Sequence, residues 1–295
     1  MKKILIPSLM VCSLFAEQNF IELGLGYTSG KDNFSTQSKE KINNYSNAKS
    51  ENEAIGMLNF YYGVDLSEEA NIYMASQYGE LMLGSEIGEF DFGIKTSLME
   101  EAWENPYLLN QDRKKTDVQE VGGYIGYSIP FSKSYMAHIR YEYSTVDYDK
   151  DTVTNSKLKR DGKRHILSLD NIIELNKKTN LIVTPIYEKY SADGEASSYD
   201  NIGFEVTVTH QITEDLELAV VGNAGEKEYD ETNPILNKKI DATITGINAL
   251  LKLNKPFGYE NVYTSLTVGY ENEDANHDFY DKENQYSIIS LGYKF

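Results

Sequence analysis

Hydrophobic and polar residues alternate along most of this chain, in stretches separated by polar segments. The last stretch shows the pattern clearly, because Ile289, Leu291, Tyr293 and Phe295 occupy every second position with small or polar residues between them. A β-strand places successive side chains on opposite faces, so this alternation predicts a strand with one apolar and one polar face. The pattern begins near residue 20 and recurs to the end, which predicts an all-β chain.

The predicted strands are joined by two kinds of connection. Long polar segments such as 30–51 and 147–162 alternate with short turns such as 130–134 and 176–178. The strands are about 10–13 residues long, close to the roughly 9–11 that cross an outer membrane when tilted, whereas a soluble sandwich uses strands of about 5–6. The chain is therefore predicted to form a transmembrane antiparallel up-and-down β-barrel.

The strand number must be even, because both chain ends of such a barrel lie on the same side of the membrane. Nine strands are predicted from Val118 onward and two before Asn71. Residues 71–110 must then supply an odd number, and they are too many for one strand. We predict about 14 strands, with 12 as the alternative if residues 100–110 fold back as a loop or plug.

The amino-terminal residues differ from the rest. Two lysines precede an apolar run, residues 4–15, which ends at Ala16 before polar sequence. This pattern predicts a signal peptide over residues 1–16, leaving 17–295 as the barrel. The run is too short to cross a bilayer as a helix. The only cysteine, Cys12, lies within it, so the mature chain is predicted to have no disulfide, thiol nucleophile or cysteine-ligated metal.

Composition adds two points. The 23 tyrosines suit the interface belts of a membrane barrel, because the ring is apolar and the hydroxyl is polar. The chain has 28 basic and 46 acidic residues, and removal of the two signal-peptide lysines leaves 26 against 46, a net charge of about −20. Such a surface disfavours nucleic acid as a partner and attracts cations.

The polar faces of the predicted strands carry charges of both signs. We assign them to the barrel lumen, because Arg or Lys facing lipid at the midplane costs roughly 2–4 kcal/mol. The candidate lumen-lining residues are Glu22, Glu120, His138, Arg140, Glu142, Asp170, Glu174, Glu205, Glu217, Lys252 and Glu271. Mixed signs predict ion pairs between neighbouring strands, and the acidic excess predicts a weak preference for cations.

The last strand resembles the carboxyl-terminal signal of bacterial outer-membrane β-barrels, in which the final strand closes the barrel and a terminal aromatic residue directs insertion. Tyr293 and Phe295 carry this resemblance. It implies location in the bacterial outer membrane, contact with outer-membrane lipid and lipopolysaccharide, and the barrel-assembly machinery as a partner.

A second resemblance rests on residues 101–108, Glu-Ala-Trp-Glu-Asn-Pro-Tyr-Leu, followed by an arginine and a Thr-Asp pair. This segment resembles a signature of an uncharacterised family of Gram-negative outer-membrane proteins. The matching residues are Trp103, Asn105, Pro106, Tyr107 and Arg113. Asn105 stands where Asp is commoner, which weakens any carboxylate role there. The resemblance implies a barrel and no activity, because the family has no known function.

The four histidines give little support to an enzyme. No two have metal-ligand spacing, and His138 is predicted to be a polar lumen residue. His165 and Ser168 lie three residues apart, hence on opposite faces of a strand, and cannot pair with each other. No segment resembles the active-site motif of the outer-membrane phospholipases. We therefore predict no enzymatic activity, no metal and no cofactor.

Three functions remain from the sequence. The favoured one is a passive or substrate-selective channel for small polar solutes with a weak cation preference. The second is a non-conducting barrel whose long loops bind a partner or a surface. The third, which the histidines disfavour, is a lipid-active enzyme.

Overall fold

The computed structural model describes residues 19–77, 79–97 and 100–295. The predicted signal peptide, residues 1–16, lies outside the described residues. The strands in this part of the chain are β1 (Phe20–Lys31), β2 (Glu51–Ser67), β3 (Ala70–Gln77), β4 (Glu80–Ile87), β5 (Phe90–Ser97), β6 (Glu100–Trp103), β7 (Lys115–Ser132), β8 (Tyr135–Tyr148), β9 (Gly162–Asn176), β10 (Thr179–Ala192), β11 (Tyr199–Gln211), β12 (Leu216–Asn233), β13 (Lys238–Asn254), β14 (Val262–Ala275) and β15 (Lys282–Lys294). Short 3-10 helices occupy Ser156–Leu158, Glu195–Ser197 and Pro256–Gly258. None of the described helices is long and apolar enough to cross a membrane.

The strands close into a barrel. Each pairs antiparallel with its neighbours, and β15 pairs with β1 from Lys294↔Phe20 to Glu283↔Lys31. Both β5 and β6 pair with β7, so they are two segments of one wall strand. The wall therefore has 14 strands, which confirms the predicted number. Closure leaves no free edge between the first and last strands, as lipid requires.

The strands differ in length more than the sequence pattern predicts. The predicted strand length of about 10–13 residues is wrong for several strands: β7 and β12 have 18 residues each, whereas β3, β4 and β5 have 8. Most of the polar segment 228–239 is strand, since β12 and β13 are joined by residues 234–237 alone. Beyond the lipid, polar side chains are satisfied on both faces, so a strand continues there without the apolar alternation.

The two ends of the barrel carry different connections. The turn side holds the first and last strand residues, and the loop side holds the long connections, including residues 32–50 and 104–114. The β3–β4 connection breaks this rule, because it lies on the loop side and spans only residues 78–79. Gly79 adopts φ 86°, a conformation that tight hairpin turns demand. On the loop side, β3 and β4 consequently end nearer to the turn side than the longer strands do, so the barrel wall is low there.

The outer face is apolar and the inner face is polar. On β1, Leu25 is 74% exposed and Leu23 62%, whereas Glu22 and Thr28 on the opposite face are buried. The same alternation along the other strands makes an apolar belt around the barrel. The main hydrophobic core of the described residues lies elsewhere, among the connections on the loop side.

Candidate functional site

The barrel encloses a chamber of about 1820 Å³. Its acidic lining residues are Asp32, Glu51, Glu53, Glu80, Glu100, Glu101, Glu120, Glu142, Asp170, Glu188, Glu205, Glu271, Glu273 and Glu283, and its basic lining residues are Lys95, Lys115, Arg140, Arg164, Lys227 and Lys282. Among the described residues, 14 acidic side chains thus face 6 basic ones. The chamber is strongly negative.

The structure separates the predicted lumen residues into three groups. Seven line the chamber: Glu120, His138, Arg140, Glu142, Asp170, Glu205 and Glu271. Three others also point inward, but they lie between the chamber and the turn side: Glu22, Glu217 and Lys252. Glu174 is the exception, because it is exposed at the rim, two residues before β9 ends, where the wall no longer encloses it.

One run of ion pairs crosses strands β4, β5 and β8. Lys95 contacts Glu142, and its Nζ lies 3.8 Å from Glu80 Oε1. Arg140 Nε lies 2.9 Å from Glu142 Oε1, and Arg140 Nη1 lies 3.8 Å from Asp91 Oδ2. Alternating signs hold these side chains against the wall, so the chamber centre stays open.

Asp91 and Lys95 are lumen residues that the sequence analysis missed. They alternate with Phe90, Phe92 and Ile94, which are exposed on the outer face. That alternation is a usable signal, but residues 71–110 as a whole show no continuous pattern, so the sequence does not fix the register of this strand.

Two further runs follow the same principle. Arg164 lies between Glu120 and Glu188, with N···O distances of 2.8 and 3.2 Å. Lys227 and Lys282 share Glu273, at 2.9 and 3.0 Å. Three runs of paired charges therefore fix the chamber wall on different sides.

His138 joins Ser128 to Asp91. Its Nδ1 lies 3.0 Å from Ser128 Oγ and its Nε2 lies 3.2 Å from Asp91 Oδ1. These are the residue types of a nucleophilic triad, although Arg140 also contacts Asp91. The group faces the lumen and not the lipid. In the described residues, no three His, Cys, Asp or Glu side chains are arranged to hold a metal ion.

The loops above the chamber pack into a cap with a buried apolar core. Its buried core comprises Tyr107, Val153, Leu158, Ala196, Tyr229, Ile240, Phe279 and Tyr280, with Phe34, Ile42, Tyr45, Tyr199, Leu236 and Ala275 packed against it. The hydroxyls of Tyr107 and Tyr280 lie 2.6 Å apart, and Asn233 Nδ2 donates to both. Burial raises the pKa of both tyrosines, which therefore stay neutral.

The family-like motif builds this cap. Trp103 is fully buried, and its indole N–H donates to Ser35 O at 2.9 Å. Asn105 Oδ1 accepts the Tyr107 N–H at 3.0 Å, closing a turn around the buried Pro106. The motif thus neither lines the lumen nor forms a plug inside it, and only Trp103 belongs to a wall strand.

Arg113 ties two loops together. Its guanidinium lies 4.5 Å from the centre of the Trp103 ring. It donates to Asn33 O at 2.7 Å and to Pro106 O at 3.3 Å, and it also contacts Lys39 O. Burial lowers the pKa of Arg113 to about 10, so the side chain remains charged at neutral pH. Loop 32–50 is thereby fixed against loop 104–114.

The carboxyl-terminal aromatics lie at the seam on the turn side. Phe295 stacks on Tyr62, with ring centres 6.3 Å apart, and on Tyr293, at 6.4 Å. The Phe295 N–H donates to Asn19 O at 2.9 Å. The last residue therefore bridges β15 to the segment that begins β1 and to the next strand, β2.

A closed antiparallel barrel of 14 strands, with an apolar outer belt and a charged interior, is an outer-membrane β-barrel, and the protein lies in the bacterial outer membrane. Residues 18–294 match the family described as "Protein of unknown function (DUF2860)", and the chain belongs to this family. The family resemblance carried by the tryptophan motif is thereby confirmed. No curated protein has a significantly similar sequence.

Two solved structures with a similar fold are distant in sequence. A FadL homologue of Pseudomonas aeruginosa is 10% identical, with a TM-score of 0.52 over 95% of this chain and 91% of that one. An anion-selective porin from Comamonas acidovorans is 5% identical, with a TM-score of 0.46 over 94% of this chain and 98% of that one. At 10% identity the likeness to the FadL homologue shows the fold alone.

Proposed function

We propose that this protein is an outer-membrane channel for small polar solutes, with a preference for cations. The observation that carries the proposal is the chamber, where 14 acidic side chains face 6 basic ones. A charged, walled space raises the local concentration of ions of opposite sign and lowers that of like sign. The excess of carboxylates therefore favours cations.

The volume of the chamber favours a solute that passes in its hydrated form. Pockets that bind drug-sized molecules measure roughly 300–1,000 Å³. This chamber has about 1820 Å³ and charged walls. It has room for a small polar solute together with the waters that hydrate it.

The test is conductance of the purified, refolded protein in planar bilayers. We expect discrete conductance steps and, in a salt gradient, a reversal potential of the sign that cation selectivity produces. An absence of steps, or anion selectivity, would contradict the proposal.

A matched pair of variants on β9 sharpens the test. Asp170 lines the chamber and accepts a hydrogen bond from Thr184 Oγ1 at 2.6 Å, which Asn can also accept. Glu174 lies on the same strand but is exposed at the rim. Asp170→Asn should reduce cation selectivity, and Glu174→Gln should leave it unchanged. An equal effect of both variants would show that the chamber does not set selectivity.

A second candidate, an enzyme acting on acyl esters, is favoured by one observation only, the contacts of His138 with Ser128 and Asp91. Against it, the serine meets Nδ1 of the imidazole, the reverse of the usual triad, and the group faces away from lipid. Folded protein should therefore release no product from a short-chain ester. Hydrolysis that Ser128→Ala abolishes would establish the enzyme instead.

A further inference from the structure

We propose that passage through the channel is limited by a layer of packed side chains that lies in the lumen between the chamber and the turn side. This inference rests on the proposed channel function and assigns the residues that set its conductance. We call the layer the lumen floor. Its aliphatic half comprises Ile182, Ala219, Val221 and Leu250, and its tyrosine half comprises Tyr61, Tyr73 and Tyr124.

The chamber and the floor meet between two adjacent rows of inward side chains on β10, β11 and β12. The last row that lines the chamber consists of Thr184, Glu205 and Asn223, which are register partners. The next inward row toward the turn side consists of Ile182, Thr207 and Val221, which are partners in the same way. The side chains of this second row are 2%, 1% and 4% exposed. Protein atoms therefore cover the lumen face directly below the chamber.

The aliphatic half is an apolar layer between two polar ones. Ala219 and Val221 form a buried cluster, against which Leu250 packs. On the turn side of this cluster, Glu217 and Lys252 are register partners that point into the lumen. On its other side lies the charged chamber. An ion that crosses a narrow apolar layer loses water without gaining polar partners, so such a constriction limits conduction.

The tyrosine half is held by contacts of defined geometry. Tyr61 stacks on Tyr73 with ring centres 5.4 Å apart, and the hydroxyl of Tyr73 contacts that of Tyr124. The guanidinium of Arg140 lies 3.9 Å from the centre of the Tyr124 ring, and Glu142 holds this guanidinium in turn. These contacts tie the tyrosines to the charged wall of the chamber.

The aliphatic half is held by contacts without such direction. Dispersion between pairs of carbon atoms is weak, and an aliphatic side chain changes rotamer without breaking a hydrogen bond. We therefore expect the floor to open at Ile182, Val221 and Leu250 while the tyrosines stay in place. Glu205 lies in the row directly above Val221, so a cation that passes here meets a carboxylate.

Adjacent residues of the same type on opposite faces of the wall provide a matched test. Val221 and Leu250 face the lumen, whereas their neighbours Val220 and Leu251 lie on the outer face. In planar bilayers, Val221→Ala/Leu250→Ala should raise potassium conductance severalfold. Val220→Ala/Leu251→Ala removes the same volume and should leave conductance unchanged. Unchanged conductance in the lumen-facing variant, or an equal rise in both variants, would overturn the floor as the limiting layer.

A second pair of variants decides the matter if the loss of volume prevents folding. Val221→Thr keeps the shape of the side chain and adds a hydroxyl that water can solvate. It should raise conductance, whereas Val220→Thr on the outer face should not. Gel mobility that changes on heating verifies that each variant is folded. Equal conductance of folded Val221→Thr and the unchanged protein would contradict an apolar constriction, whereas no conductance from any folded form would reject the channel function itself.

Discussion

The cap and the chamber both bury polar side chains, but they hold them in different ways. In the cap, Asn233 and Arg113 lie among aromatic rings and donate to hydroxyl and carbonyl oxygens. In the chamber, Lys95 and Arg140 are held by carboxylates of neighbouring strands. The cap is organised by apolar burial, and the chamber is organised by charge beside a hydrated space.

This difference predicts different consequences of substitution. Removal of a cap side chain leaves a cavity and unpaired polar groups in a buried core, which is costly. Removal of a chamber side chain changes the charge that a solute meets, and water can solvate the partner that remains. Cap variants should therefore alter loop structure, while chamber variants should alter ion preference.

The largest effect should come from the seam, on which both regions depend. Deletion of Phe295 removes its stacking on Tyr62 and its hydrogen bond to Asn19. Most of the protein should then fail to reach the folded, heat-modifiable form seen by gel electrophoresis of outer-membrane fractions. Phe295→Tyr keeps the terminal ring and should fold normally. Normal folding of the deletion would contradict a role of this residue in assembly.

The next largest effect should be confined to the cap. Trp103→Ala removes a fully buried indole and should destabilise the cap by about 3–5 kcal/mol. The loops should become accessible to added protease while the barrel keeps its heat-modifiable mobility. Trp103→Phe loses chiefly the hydrogen bond to Ser35 and should cost about 1 kcal/mol. Collapse of the whole barrel in Trp103→Ala would show that cap and wall are not separable.

Arg113→Lys should have a smaller effect of the same kind. Lysine keeps the charge but lacks the planar fork that reaches Asn33 O and Pro106 O together. We expect a loss of about 2–3 kcal/mol in cap stability, because hydrogen bonds from a charged donor are being removed. Protease cleavage rates of loop 32–50 provide the measurement. A rate equal to that of the unchanged protein would show that charge alone holds the loop.

The barrel was predictable because lipid imposes a periodic pattern on the wall. Ile289, Leu291 and Tyr293 face outward in the structure as their alternation indicates, with exposed fractions of 63%, 60% and 47%. The 14 strands followed from parity and segment length. Strand ends were not predictable, because outside the lipid nothing requires polar and apolar residues to alternate, as the loop-side halves of β12 and β13 show.

The cap was beyond sequence reasoning for a different reason. It depends on contacts between distant segments, such as Arg113 with Asn33, 80 residues away, and Tyr107 with Tyr280, 173 residues away. The tryptophan motif marked the cap residues without indicating their partners. The polar residues near the short β3–β4 hairpin likewise give no sign that the wall is low there.

The smallest expected effect tests the chamber alone. Lys95→Gln removes one of 6 basic lining residues, while Glu142 keeps Arg140 as its partner. One charge acts on an ion about 4 Å away with about 1 kcal/mol in water and with opposite signs for a cation and an anion, so the ratio of cation to anion permeability should rise by at most about thirtyfold. Reversal potentials in a potassium chloride gradient give this ratio, with Lys239→Gln, outside the chamber, as the control. The heat-modifiable form and the resistance of the loops to protease should stay unchanged in Lys95→Gln. A shift of selectivity toward anions, or cleavage of loops that resist protease in the unchanged protein, would therefore mean that ion preference and loop packing are not set separately by the chamber and the cap.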